Sequence, residues 1–353
     1  MDSTSRGITR GDTTHMSKRL FFLVALLVLA LPFAVMAQEA TPEPVEPIVL
    51  PEVDPLASSG DIITAGSSTV FPLSEAMAEA FAEEGFSGSI TVDSIGSGAG
   101  YERFCVAGET DIANASRAIR DSERESCAAI GREPIEFRVG TDALAVVMST
   151  DNDFVDTLSL VQLAQIFSGA VTTWDQVDPS FPAETIQVFS PGTDSGTFDY
   201  FLEAVLESDD GGLELEAEAA EAAIQAIPGV QFSEDDNVLV QGVQGSPYAI
   251  GYFGFAYYVE NQDTLKALAI GEGEEAVVPN EETAENNTYP LSRPLFIYSD
   301  ATIMNEKPQV ADFINFYLTN VNDYVVEVGY FPASVEALNA AKQAWLDAMG
   351  MGM

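Results

Sequence analysis

The sequence predicts an α/β fold, with mostly parallel strands covered by helices, and three observations lead there. Short apolar runs at 62–65, 90–95, 143–148, 186–189, 249–255, 265–270 and 295–298 alternate with stretches whose apolar residues recur at helical spacing. Three times a strand gives way to a helix through a cluster of Gly, Ser and Thr. The chain has 353 residues, 46% of them hydrophobic, enough for two domains with cores of their own.

From the start of the chain, Lys18-Arg19 precede an apolar run at 20–35 that ends Val35-Met36-Ala37. That is the pattern of a secretory signal, with cleavage expected after Ala37, so residues 1–37 read as leader and signal. Met16 stands directly before Ser17-Lys18-Arg19, so 1–15 read as a misassigned start. No cysteine follows the apolar core, so no lipid anchor is expected. Residues 38–60 are rich in Pro, Glu and Ala without periodicity and read as a disordered linker. Order is expected from Asp61.

Residues 62–65 form a strand, Gly66-Ser67-Ser68-Thr69 follow, and Phe71, Leu73, Met77, Ala80 and Phe81 stripe a helix. The strand at 90–95 runs into Gly96-Ser97-Gly98-Ala99-Gly100 and a helix over 101–106. The glycine spacing is not that of a dinucleotide fingerprint. A short strand at 111–115 enters a turn carrying Arg117. Residues 158–167 read as a helix, with Trp174 packing in the loop beyond. The strand at 186–189 breaks at Pro191, Gly192 and Gly196, and Phe198, Phe201, Leu202, Val205 and Leu206 stripe the next helix. Residues 213–227 read as an acidic, solvated helix, and 233–237 as a helix start rather than a calcium loop. Residues 271–289 form a polar excursion. Val310, Phe313, Ile314 and Tyr317 stripe one late helix. Val335, Leu338, Ala341 and Trp345 stripe the last, which Ser334 can cap.

The formal net charge of -42 excludes nucleic acid and anionic membrane as partners, since both need basic patches. His15 is the only histidine and precedes the signal, so the mature chain has no Ser-His-Asp or Cys-His site and no histidine metal cluster. Neither a metal nor a cofactor is expected. Cys105 and Cys127 both lie in the exported part, where a disulfide between them fits an oxidising compartment, with two buried free thiols as the alternative.

The candidate site is the set of strand-to-helix corners. A helix start offers N–H groups without partners and a dipole that favours negative charge. Ser68 and Thr69, Ser97, and Ser195, Gly196 and Thr197 add hydroxyls or open backbone at three such corners, and Arg117 follows a strand end. At Ser195 the same residues also suit an ordinary N-cap. Together they describe donors for a small tetrahedral oxyanion at the carboxyl ends of strands. Asp194 fits three roles: accepting the proton of hydrogen phosphate while repelling sulfate, capping the helix, or pairing with Arg117.

Gly66-Ser-Ser-Thr-Val-Phe-Pro72, Gly96-Ser-Gly-Ala-Gly100, Asp111-Ile-Ala-Asn-Ala-Ser-Arg117, Pro191-Gly-Thr-Asp-Ser-Gly-Thr197 and Asp236-Asn-Val-Leu-Val-Gln-Gly-Val243 occur in this order. With them the chain resembles the PstS-type phosphate-binding proteins of phosphate ABC transporters over roughly 61–345. The resemblance implies a two-lobed periplasmic-binding-protein fold of the Venus-flytrap kind, type II, each lobe a mostly parallel sheet flanked by helices. It places lobe 1 at 61–141 plus 254–353 and lobe 2 at 142–253, with crossings near 140–142 and 251–254. It implies a secreted, monomeric, non-enzymatic receptor that takes inorganic phosphate on Ser68, Thr69, Ser97, Arg117, Asp194, Ser195, Gly196 and Thr197 and passes it to a membrane permease. Another branch carries Asp where this chain has Arg117 and Arg where it has Pro191, so the charged ligands are redistributed here. The alternatives are a sulfate or molybdate receptor and a secreted phosphatase; the latter lacks both a Gly-x-Ser-x-Gly elbow and a histidine base.

Overall fold

β1 (Ile62–Gly66) lies parallel to β2 (Ile90–Ser94) on one side and to β3 (Ile112–Ala115) on the other. β4 (Ile135–Ser149) is a single strand of 15 residues. β5 (Thr157–Leu158) stands apart from the main sheet. β6 (Gln187–Pro191) is parallel to β7 (Gln231–Ser233) and to β8 (Ala249–Gly254). β8 and β9 (Leu265–Ala267) both pair antiparallel with the second half of β4, and β10 (Ala269–Ile270) pairs with β5. β11 (Ser292–Ser299) then returns antiparallel between β3 and β4. Among the residues that this computed structural model describes, 45–352 apart from Asp194, one nine-stranded sheet results, in the order β2-β1-β3-β11-β4-β8-β6-β7 with β9 beside β4. The signal expected at 1–37, and 38–44 of the linker, lie outside the described residues. The parallel pairs are at the two ends of the sheet. Its middle is antiparallel because β4 and β11 carry the chain across in opposite directions.

Four clusters of buried side chains hang on this sheet and form two cores, one about each half, and β4 belongs to both halves. Phe137 and Val139 pack with Leu73, Met77, Phe81, Phe313 and Tyr317 in the first core. Leu144, Val146 and Met148 pack with Phe167, Phe201 and Tyr252 in the second, while Ala143, Ala145 and Val147 face Phe189, Leu239 and Phe253 on the other side of the strand. That alternation is the period of two that a strand buried on both faces imposes. The return lies on β11: Tyr289 and Leu291 are in the second core, Leu295 and Ile297 in the first.

The boundary expected at 251–254 is therefore corrected to about 292–294. Phe255, Leu265, Leu268 and Ile270 bury with the second core, so 254–291 belong with it. The glycine within this strand serves close packing. A Cβ on Gly251 would lie 2.8 Å from the Val243 side chain and 3.2 Å from that of Phe189.

The expected disorder of 38–60 is also corrected, for residues 45–60. Leu50 is buried in the first core, and the backbone around it is held by side-chain amides of the two C-terminal helices. Ile48 N–H donates to Asn339 Oδ1 at 2.7 Å, Asn339 Nδ2 to Glu46 O at 2.9 Å, and Asn315 Nδ2 to Pro51 O at 3.0 Å. Asp54 caps the short 3-10 turn Pro55–Ala57. A proline-rich strap has few backbone donors to satisfy, so it lies extended over a helical surface without periodicity of its own.

The last helix spans Val335–Ala348, with the Ser334 hydroxyl accepting from Ala337 N–H at 3.2 Å. Ser159 and Gln162 close a capping box on the helix Leu160–Phe167. Trp174 is fully buried and donates to Tyr248 O. The acidic helix expected at 213–227 is shorter, Ala217–Gln225. Cys105 and Cys127 are joined in a disulfide between a π-helical turn, Arg103–Ala107, and the helix Asp121–Ala129.

Candidate functional site

The corners of the first lobe are drawn together by glycine. Gly66 sits at φ +148°, and a Cβ there would lie 2.0 Å from Asn114 O, so only glycine lets β1 turn against β3 at this point. A Cβ on Gly100 would lie 2.5 Å from Gly66 Cα, so the helix Ser97–Glu102 rests directly on the end of β1. Across from them, the helix Gly196–Phe201 of the second lobe begins against the same place: a Cβ on Gly196 would lie 3.6 Å from Ser68 O and from Thr69 Cα. The corners at Ser68-Thr69, Ser97 and Gly196 thus converge, as their spacing along separate strands could not by itself require.

The individual side chains differ in what they do. Ser68 Oγ donates to Asp199 Oδ2 at 3.4 Å, across the cleft. Ser97 Oγ accepts from Ser116 N–H at 3.1 Å and lies 3.2 Å from Ser116 Oγ. Ser195 Oγ accepts from Thr197 N–H at 3.2 Å, so this hydroxyl serves as an N-cap. Asp194 lies outside the described residues.

Arg117 lines the cleft but turns its guanidinium to its own lobe. Nη1 and Nη2 donate to the two carboxylate oxygens of Glu123 at 2.9 and 2.6 Å, and the group lies over the Tyr101 ring. Burial alone would raise the Glu123 carboxyl. The hydrogen bonds from Arg117 and from Arg120 N–H outweigh it and hold the group below its ordinary value.

The arginine at the centre is Arg293, on β11 where the chain passes between cores. It is 7% exposed. Its direct cross-strand partner on β4 is Asp142, and Nε donates to Asp142 Oδ2 at 3.2 Å. Nη2 donates to Thr69 Oγ1. Nη1 reaches Ser116 Oγ at 3.4 Å and Glu203 Oε2 at 3.1 Å. The guanidinium carbon sits 3.6 Å from the centre of the Tyr200 ring, a cation–π contact. First lobe, second lobe and both crossing strands therefore meet on one side chain. Burial raises the Asp142 carboxyl above its usual range, opposed by the charge and hydrogen bond of Arg293 and by the N–H of Ala143.

Two adjoining cavities open onto this centre. One of about 630 Å³ is lined by Gly96, Ser97, Ser116, Arg117, Tyr200 and Arg293 among others. The other, of about 470 Å³, includes Ser68 and Asp199, and Ile95, Gly96 and Glu203 line both. The second cavity has an acidic wall of Glu203, Glu207, Glu218 and Glu221. Burial raises the Glu207 carboxyl, and the charges of Glu203, Asp199 and Glu216 add to it. Attraction for an anion is thus left to the arginines that line the first cavity, Arg117, Arg120 and Arg293, with the hydroxyls and helix starts around them. Among the described residues no group of three or more His, Cys, Asp or Glu is placed to hold a metal ion, and no helix is long and apolar enough to cross a membrane.

A family model described as a PBP superfamily domain matches residues 54–321. The phosphate-binding protein PstS of Staphylococcus saprophyticus is 34% identical over 272 residues, covering 77% of this chain and 80% of its own. The chain belongs to the PBP superfamily, and within it to the PstS-type phosphate-binding proteins. Protein SphX of Synechocystis sp. is another relative, 40% identical over 293 residues, covering 82% of this chain and 83% of its own. The crystal structure of a possible phosphate binding protein from Planctomyces limnophilus superposes with a TM-score of 0.73 at 37% identity, over 83% of this chain and 99% of that one. The two-lobed fold implied by the sequence resemblance is therefore the fold of this PstS-type chain.

Sequence reasoning had not singled out Arg293, Asp142, Ser116, Tyr200 or Glu203 as site residues. Two of them leave a signal. Arg293 is the only arginine after Arg138, and it stands against the apolar run at 295–298. Asp142 likewise abuts the buried run at 143–148. A charge flush with a strand that buries both faces must be paired.

Proposed function

We propose that this chain is an extracytoplasmic, non-enzymatic receptor that holds inorganic phosphate between its lobes and delivers it to an ABC permease. The observation that carries the reading is Arg293: a buried guanidinium at the crossing of the lobes, braced by Asp142 and Thr69, with its Nη1 edge toward a hydroxyl-lined cavity. Phosphate would sit on that edge, with Ser97 and Ser116 on one side. Ser68, Thr69, Arg117 and the helix start at Ser195, Gly196 and Thr197 are proposed to complete the shell as the cleft narrows. Helix starts add N–H groups and favourable dipole at little cost in net charge. Several charge-assisted bonds at about 1.5–3 kcal/mol each outweigh an association cost of roughly 4–15 kcal/mol only if most are made together, which favours a closed state.

In this reading the lobes turn about β4 and β11, the two strands that cross, and bound anion favours closure by bridging groups from both sides. A carboxylate that accepts the proton of the anion, the role proposed for Asp194, favours hydrogen phosphate, which brings a proton, over sulfate, which does not. Isothermal titration calorimetry on protein stripped of phosphate tests the proposal. Saturable heat with phosphate, little affected by millimolar sulfate, is expected. Absence of phosphate heat, or equal competition by sulfate, removes it.

A further inference from the structure

We propose that Glu203 is an internal competitor for the anion seat at Arg293, a carboxylate of the second lobe that holds the guanidinium edge until ligand displaces it. This rests on the phosphate reading above and deepens it. Arg293 carries two carboxylates in opposite circumstances. Asp142 is sealed, its side chain 2% exposed; it engages Nε and lines neither cavity. Glu203 is 61% exposed, engages Nη1, and lines both cavities. Thr69 occupies Nη2, so the edge open to the cavity is the one on which Glu203 sits.

An oxyanion that seeks this N–H meets a negatively charged oxygen acceptor already in place. The surroundings strengthen the competition. Glu203 stands on the helical turn Leu202–Leu206, with Glu207 one turn further on and Glu218 and Glu221 across the second cavity. Leaving Arg293, the Glu203 carboxylate swings toward other carboxylates, and like charges make that position less favourable than the arginine. Because Glu203 belongs to the second lobe and Arg293 to the crossing strand, the contact also ties the two together in the absence of ligand. The competitor thus trades one bridge for another when the anion arrives.

The test compares the full chain with its Glu203→Gln and Glu203→Asp variants, each stripped of phosphate, by calorimetric titration with inorganic phosphate and with sulfate. Exposed ion pairs are weak, so Glu203→Gln is expected to bind phosphate about two- to fivefold tighter, with Glu203→Asp between it and the parent. Weaker phosphate binding in Glu203→Gln makes this carboxylate a ligand contact and overturns the proposal. An unchanged affinity overturns it as well. Loss of phosphate binding in parent and variants alike removes the phosphate reading and the competition together, whereas tight binding in all three removes only the competition. Unchanged far-ultraviolet circular dichroism and melting temperature establish that the variants are folded, which the exposure of Glu203 leads one to expect.

Discussion

Replacing Arg293 by lysine keeps a positive charge and removes a planar fork, and that difference decides whether this residue is the seat of the ligand. The guanidinium addresses Asp142 by Nε, Thr69 by Nη2 and the cavity by Nη1, in three directions at once. An ammonium is a single point on a flexible stem and has no fixed fork. It stays with Asp142, because a buried carboxylate left without its partner costs about 3–5 kcal/mol. What is lost is then the bond to the anion, about 1.5–3 kcal/mol, which is roughly a 10- to 150-fold rise in Kd. Stability changes little in Arg293→Lys. In Arg293→Met it falls by about 3–5 kcal/mol, since Asp142 is stranded. Calorimetric titration with phosphate and denaturant unfolding of the ligand-free proteins separate the two effects. Arg117→Lys is the control: its guanidinium is already engaged by both oxygens of Glu123, so its loss in affinity is expected to be the smaller. Phosphate affinity within twofold of the parent in Arg293→Lys, or a larger loss in Arg117→Lys, refutes the placement of the seat.

Three further outcomes are expected. Replacing both Cys105 and Cys127 by alanine opens a loop of sequence separation 22 and costs about 3 kcal/mol in the chain-entropy account, measured by urea unfolding. Leu50→Ala lowers stability by about 2 kcal/mol in the same assay, because the strap before β1 is part of the first core; no change restores the reading of 45–60 as a free linker. Asp236 is pushed up to about 6 by burial, then by the charges of Asp235 and Glu234. A raised carboxyl favours the fold while protonated, so its contribution is present below its unfolded value of 3.8 and lost as pH rises through about 6. Asp236→Asn therefore raises the melting temperature at pH 7.5, and the gain shrinks as pH is lowered to 4.5.

What could be read from the sequence was local, and what could not was made by register. The corners at Gly66, Gly96 and Gly196 were visible because a strand, a break and a helical stripe follow one another within a dozen residues. That the corners meet depends on close approach between Gly66 and Gly100 and between Gly196 and Thr69, which no local pattern encodes. Gly251 makes the same point: a glycine in a buried strand marks close approach, but only the tertiary packing supplies the neighbour, the helix Asp236–Gln244 through Val243. Arg117 was visible as a cation after a strand, but Glu123, six residues on, claims its fork.

The pairing of Arg293 with Asp142 spans 151 residues and exists only because β11 runs antiparallel to β4 with those two residues opposite each other. The same register slips between Leu295 and Phe296, just beyond the pair. A bulge bends and twists the strand that carries it. The ion pair therefore lies next to the one irregularity in the β4–β11 ladder, at the point where each strand leaves one core for the other. A charge buried there cannot be satisfied by solvent and must be satisfied by both lobes, through Thr69 on one side and Glu203 on the other. Rotation of one lobe against the other therefore alters the partners of that guanidinium. In the phosphate reading this makes the group that holds the ligand and the group that registers lobe position the same residue, so affinity and closure cannot be varied independently by changing Arg293. They can be separated only by changing its partners, one lobe at a time.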